Sequence, residues 1–187
     1  MSTAWRALWS CATLVAATPA CSVQVSSAPS GLATASPAVL VATPGSCHAR
    51  GSDLYVLPDP SYTPGATNPK VTQATIGVSI CQSGWTATVR PPASYTNHLK
   101  LEQMAAYGWA GPPSDYEEDH LVPLELGGAP RDPANLWPEP GERNNPKDKV
   151  ENAAKRAVCG GNMQLADAQQ AIAADWVSFG RQLGVMA

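Results

Sequence analysis

Residues 116–128 read YEEDHLVPLELGG. Three acidic residues stand directly before His120, and the apolar segment after it ends in Gly127 and Gly128. Prolines and glycines interrupt residues 111–146 so often that helical periodicity is lost. We therefore expect two short extended segments here, residues 117–126 and 135–140, joined by a loop around the two glycines.

A helix is expected directly after this hairpin. Asn145 can cap it, Pro146 suits its first position, and Gly160 can end it. Apolar residues between these signals recur at helical spacing, at Val150, Ala153, Ala154, Ala157 and Val158. The local order is thus strand, loop, strand, helix.

The rest of the folded part is expected to be mixed. The alternation in GWTATVRPP, residues 84–92, predicts a strand, and residues 94–108 predict a helix. A last helix carries a core-packing stripe from Leu165 to Leu183. The predicted fold class is therefore a small α+β domain with flanking helices.

The charge balance argues against a basic nucleic-acid-binding surface over the whole chain. The 187 residues carry a net charge of −3, with 44% hydrophobic and 14% charged residues. Basic residues are concentrated only between residues 143 and 156, at Arg143, Lys147, Lys149, Lys155 and Arg156. A polyanion would be expected to bind at that segment.

The N-terminus predicts export. Residues 1–20 combine Arg6 with a short apolar stretch and small residues, which is the layout of a secretory signal. The apolar stretch is too short for a stable membrane span, so no transmembrane helix is expected in the mature form. TPAC before Ser22 is similar to a bacterial lipobox, which would make Cys21 the lipid-anchored first residue. Simple cleavage and secretion remain the alternative.

Residues 21–56 are expected to be a low-complexity tether, followed by one domain at residues 57–187. In an exported chain, Cys47, Cys81 and Cys159 would leave one disulfide and one thiol. We expect the bridge between Cys81 and Cys159, because both lie in predicted ordered segments while Cys47 lies at the edge of the tether.

The motif residues resemble those of the HNH endonucleases, the ββα-metal class. They include Asp119-His120, Pro123, the Gly127-Gly128 turn and Asn135-Leu136. Asn144 follows nine residues after Asn135, and Lys147 follows twelve residues after it. A closer likeness, over approximately residues 59–176, is to exported bacterial proteins of unassigned role grouped with these nucleases.

The resemblance implies a role for each matching residue. His120 would be the general base, and Asn135 would hold its loop. Asp119 with Asn144 or Asn145 would bind a divalent metal, Mg or Mn rather than Zn, and Lys147 would face the phosphate. On a strand, however, neighbouring residues point to opposite faces, so only a bend would let Asp119 and His120 serve one site.

The implied function is metal-dependent hydrolysis of phosphodiesters in nucleic acid, DNA more than RNA, by an exported enzyme. The acidic residues around the motif leave a second hypothesis open. The domain would then keep the HNH scaffold as a non-catalytic binding module of the cell envelope, held to the membrane through Cys21 if that residue is lipidated.

Overall fold

A computed structural model describes residues 23–25, 40–141 and 145–187. It has a mixed helix and strand fold, in which every β-strand belongs to a two-stranded antiparallel pair among the described residues. The strands are β1 (Val23–Val25), β2 (Leu40–Ala42), β3 (Arg50–Ser52), β4 (Tyr55–Leu57), β5 (Tyr116–His120) and β6 (Leu136–Pro140). The helices are α1 (Trp85–Val89), α2 (Ala93–Ala106), α3 (Lys147–Cys159) and α4 (Leu165–Gln182).

The hairpin and the helix after it occur in the predicted order. Strand β5 pairs with β6 in a register that sets Tyr116 opposite Pro140 and His120 opposite Leu136. Helix α3 follows, and Gly160 is its C-cap as predicted. Asn145 accepts a hydrogen bond from the N–H of Lys147 through Oδ1 at 2.8 Å, so it caps the first turn from just outside the helix.

Gly127 and Gly128 are each required for a different physical reason. Gly127 has φ of +74° at the end of a short 3-10 helix, Leu124–Leu126, a conformation that favours glycine. Gly128 lies so close to the backbone of Val122 that a Cβ would overlap its carbonyl oxygen. The loop between β5 and β6 therefore needs glycine at both positions.

The core lies between α3, α4 and the hairpin. Leu165, Ala168, Ile172, Trp176 and Phe179 are buried on the predicted stripe of α4, and Leu183 is partly buried. Val150, Ala154 and Val158 of α3 are fully buried against them.

A disulfide joins Cys81 to Cys159, the pair expected from the sequence, across 78 residues. Cys47 is also disulfide-bonded, so the expectation of one leftover thiol is wrong at this residue. Its partner lies outside the described residues.

Residues 84–92 are not the predicted strand. Trp85–Val89 form α1, and the N–H of Arg90 closes it on the carbonyl of Thr86 at 3.0 Å. The apolar–polar alternation of this segment predicted a strand wrongly. Trp85 and Val89 are four residues apart, and this spacing also places two apolar side chains on one helical face.

The structured part also begins earlier than the predicted boundary at residue 57. Residues 21–56, expected to be a tether, contain β1 to β3 and part of β4. Gly45 and Cys47 donate backbone hydrogen bonds to the carbonyls of Ala105 and Ala106, at 2.9 and 3.0 Å. The last carbonyls of a helix lack partners within it, so the end of α2 binds this segment.

The expected signal at residues 1–20, the expected lipidation site Cys21 and the expected metal ligand Asn144 lie outside the described residues. Within the described part, no helix is long and apolar enough to cross a membrane.

Candidate functional site

A cavity of about 530 Å³ lies against β5, the end of α1 and one face of α2. Tyr116, Glu118 and His120 line it from β5, where alternate residues share a face, and Glu117 also borders it. Arg90 lines it from the end of α1. Helix α2 adds residues spaced three or four apart, Ala93, Thr96, Asn97 and Lys100.

His120 borders this cavity while only 5% of it is exposed. Its Nε2 lies 3.0 Å from the carbonyl oxygen of Pro130, which can only accept a hydrogen bond, so Nε2 carries the proton. In the neutral ring Nδ1 then has the free lone pair. Burial lowers the pKa of His120, partly offset by the Asp119 carboxylate, so the ring is neutral at pH 7.

Glu118 lies on the same face of β5 as His120, two residues away. Both carboxyl oxygens are buried and have no hydrogen-bond partner among the described residues. Burial raises the pKa of Glu118 to about 9, and the neighbouring charge of Asp119 adds to this shift. The carboxyl group is therefore protonated at neutral pH and adds no negative charge to the cavity wall.

Asn135 closes the loop that follows His120. It is fully buried, and its Oδ1 accepts a hydrogen bond from the N–H of Val122 at 2.9 Å. Its Nδ2 donates to the carbonyls of Val122 and Ala129, at 2.9 and 3.2 Å. The side chain thus closes the loop by replacing the backbone partners that a longer hairpin would supply.

Lys147 does not face the cavity, which corrects its expected role. The residue is fully buried, and its Nζ donates to Oδ2 of Asp119 at 2.6 Å, the carbonyl of His120 at 2.8 Å and Oε1 of Glu151 at 2.5 Å. Burial alone would lower the pKa of Lys147, but the charges of Asp119 and Glu151 raise it above its ordinary value. All three N–H groups of the ammonium are used, so none is left for a phosphate.

Glu139 completes a buried acidic cluster around this ammonium. Burial raises its pKa well above the usual range, and the charge of Asp119 adds to the shift. Burial likewise raises the pKa of Glu151 to about 8, against the opposing charge of Lys147. Asp119 differs: burial would raise its pKa, but contact with Lys147 lowers it. Asp119 and Lys147 therefore form the charged pair of the cluster.

The expected metal ligands do not fit a metal in the described part of the chain. Oδ2 of Asp119 is bound by Lys147, and Oδ1 of Asn145 caps α3. Asp119 and His120 are consecutive in β5, with Asp119 bound to α3 while His120 borders the cavity, so no bend brings them to one site. No group of three His, Cys, Asp or Glu residues able to hold a metal occurs among the described residues.

Several residues of the site were missed by the sequence reasoning. Glu118 was included among the acidic residues around the motif, but its place on the face of His120 was not recognised, although strand alternation gives it. Glu151 could have been found from its position four residues after Lys147, the spacing of a helical ion pair. Glu139 could have been found from the predicted hairpin, since it lies in β6 opposite Glu117. Arg90 and Lys100 carry no such signal, because only the packing of distant segments brings them near β5.

Comparison with protein-family models, with curated proteins and with solved structures found no match to this chain.

Proposed function

We propose that this chain is an exported phosphodiester hydrolase that acts on nucleic acid, DNA in preference to RNA, with His120 as its general base. The observation that carries the proposal is the position of His120. A neutral imidazole with a free Nδ1 borders a cavity that also holds Arg90 and Lys100. A base and cations on one cavity wall are what attack on a phosphodiester requires.

In this mechanism Nδ1 of His120 takes a proton from a water molecule. The water oxygen attacks phosphorus, the bond to the leaving oxygen breaks, and that oxygen takes up a proton from solvent. Asn135 contributes by fixing the loop after His120 through its three hydrogen bonds. The hydrogen bond from Nε2 to Pro130 keeps the ring in the tautomer that leaves Nδ1 free.

A divalent ion, Mg or Mn rather than Zn, stays a prediction of the resemblance to HNH endonucleases. No step is assigned to it here, because the described ligands are engaged by Lys147 and by the cap of α3. Lipid anchoring at Cys21 and location in the cell envelope likewise stay predictions.

A non-catalytic binding module is the second candidate, and the Lys147 cluster favours it. Its ammonium neutralises Asp119 inside the domain, as a purely structural ion pair would. A scaffold that has lost its metal chemistry would keep the cavity and could use it for binding.

Cleavage assays separate the two candidates. The full chain is the protein to test, because Cys47 is disulfide-bonded to a partner outside the described residues. Plasmid DNA, single-stranded DNA and RNA are incubated with Mg, with Mn or with a chelator. His120→Ala is compared with His98→Ala, since the His98 side chain is 78% exposed and outside the cavity.

The hydrolase proposal expects cleavage that His120→Ala abolishes and His98→Ala leaves intact. Cleavage lost with the chelator would show that the reaction needs a divalent ion. Absence of cleavage under every condition, or equal cleavage by wild type and His120→Ala, would reject the hydrolase in favour of the binding module.

A further inference from the structure

Arg90 is an unengaged cation of the cavity that His120 borders. The residue is exposed, and within residues 40–141 and 145–187 its side chain makes no hydrogen bond or ion pair. Its backbone is held by the hydrogen bond to Thr86, and Pro91 and Pro92 follow it directly. Two prolines restrict the chain on the C-terminal side, so the side chain projects from a stiff backbone.

Lys100 is a second cation of the same cavity, and its position is fixed. Its Nζ donates to the carbonyls of Pro113 and Tyr116, at 2.8 and 2.9 Å. An ammonium group has three donors, so one N–H remains for a ligand. These bonds go to neutral carbonyls, which leaves the positive charge of Lys100 uncompensated by a direct ion pair in the described structure.

We propose that Arg90 and Lys100 form the phosphate-binding subsite of the His120 cavity, which takes a phosphodiester group of a nucleic-acid strand. This inference rests on the proposed function and moves its phosphate contact away from Lys147. It also moves that contact away from the basic segment at residues 143–156, where the sequence alone placed a polyanion.

The chemistry of the two side chains fits a phosphodiester. A guanidinium group can donate two parallel hydrogen bonds to the non-bridging oxygens of one phosphate, and a fixed ammonium adds a point charge. Asn97 and Thr96 offer further polar groups from the same face of α2. The charge of Arg90 also reaches His120, since it contributes to lowering the pKa of that imidazole. Arg90, Lys100 and His120 thus line one cavity, in which a bound phosphate would meet both cations beside the imidazole.

The experiment measures binding separately from cleavage. Fluorescein-labelled single-stranded oligothymidylate is titrated with the full-length His120→Ala protein, and its fluorescence anisotropy is recorded at low salt. Arg90→Gln and Arg90→Lys are added to this background. Arg156→Gln is the matched control, because Arg156 is exposed on α3 and belongs to the competing basic segment.

Arg90→Gln is expected to weaken binding by about tenfold, the effect of losing one charge-assisted contact, with Arg90→Lys intermediate. Arg156→Gln is expected to bind like its parent, apart from a small loss that added salt removes. Equal losses in Arg90→Gln and Arg156→Gln, a larger loss in Arg156→Gln, or no binding by the parent would overturn the inference.

The two proposals fail in different ways. Cleavage by wild type together with unchanged binding by Arg90→Gln would overturn the subsite and leave the hydrolase standing. Binding that depends on Arg90 in a protein that cleaves nothing would support the subsite as a ligand site and reject the hydrolase.

Discussion

The Nζ atom of Lys147 lies 2.6 Å from Oδ2 of Asp119. The residue that the resemblance assigned to the phosphate thus neutralises the residue that it assigned to the metal. The same ammonium binds the carbonyl of His120. Helix α3 therefore supports β5 through Asp119 and the backbone, while the imidazole of His120 borders the cavity beside α1 and α2. In this arrangement Lys147 holds β5 at His120 without lining the cavity.

A structural role for Lys147 predicts a large loss of stability in Lys147→Met. Methionine fills a similar volume but leaves the Asp119 carboxylate, whose side chain is 20% exposed, without the buried cation that it contacts. Breaking a buried ion pair on one side costs about 3–5 kcal/mol. The free energy of unfolding, measured by urea denaturation, is expected to fall by that amount.

Lys155→Met is the control for this variant. Lys155 lies in the same helix and contacts Glu125 at 3.4 Å, but 31% of its side chain is exposed. Exposed or partly exposed pairs contribute about 0–1 kcal/mol. Similar losses of unfolding free energy in the two variants would contradict a special role of Lys147 in stabilising the fold.

Local patterns predicted the hairpin and the helix after it because their signals lie within a few residues of one another. Each glycine among these signals determines the turn in which it stands: Gly127 and Gly128 in the hairpin loop, and Gly160 at the end of α3. The number of residues between His120 and Asn135 also fits the loop that Asn135 closes. The contact of Lys147 with Glu151 follows from helical spacing, but its contact with Asp119 could not be read in this way. Only the approach of α3 to β5 buries the ammonium and brings it to Asp119.

Asn135→Asp tests the loop closure with almost no change in shape. Aspartate can still accept from the N–H of Val122, but it cannot donate to the carbonyls of Val122 and Ala129. We expect a loss of about 2–4 kcal/mol in unfolding free energy, because a carboxylate would face two buried carbonyl oxygens. The exposed Asn162→Asp is the control and should stay within about 0.5 kcal/mol of wild type. A neutral effect of Asn135→Asp would mean that the loop closes without this side chain.

The raised pKa of Glu118 predicts that the domain loses stability as the pH rises from 7 to 9. The folded protein keeps this proton up to a pKa of about 9, whereas an unfolded glutamate has released it above 4.5. The folded state thus binds more protons in this window, and the contribution of Glu118 falls by up to about 1.4 kcal/mol per pH unit.

In Glu118→Gln the glutamine side chain resembles a protonated glutamate. This variant should therefore lose the part of the fall in unfolding free energy with pH that Glu118 causes. Unfolding free energies from urea titrations at pH 7, 8 and 9 measure it. Asp167→Asn, at an exposed carboxyl of α4, should keep the wild-type slope. Parallel slopes for wild type and Glu118→Gln would show that Glu118 is ionised in the folded protein at pH 7.

The disulfide between Cys81 and Cys159 predicts a stability that depends on oxidation. It links the segment before α1 to the end of α3 across 78 residues, so its loss frees a long loop in the unfolded chain. We expect Cys81→Ser combined with Cys159→Ser to lose about 2–4 kcal/mol of unfolding free energy. An unchanged urea midpoint would show that packing of α3 alone holds this segment.

The positive charge of Arg90 is the smallest of the named contributions to the lowered pKa of His120, and it predicts a small shift in a titration that needs no substrate. Burial, and to a lesser degree the charges of Lys147 and Arg90, lower the pKa of His120 below its ordinary 6.5, while Asp119 opposes the change. Arg90→Gln removes one of these positive charges, so the imidazole becomes easier to protonate and its pKa rises. Arg90→Lys keeps the charge and should leave the titration near that of wild type. Imidazole NMR shifts recorded between pH 4.5 and 8 measure this. A His120 midpoint that is unmoved in Arg90→Gln would contradict the electrostatic effect of Arg90 on the ring.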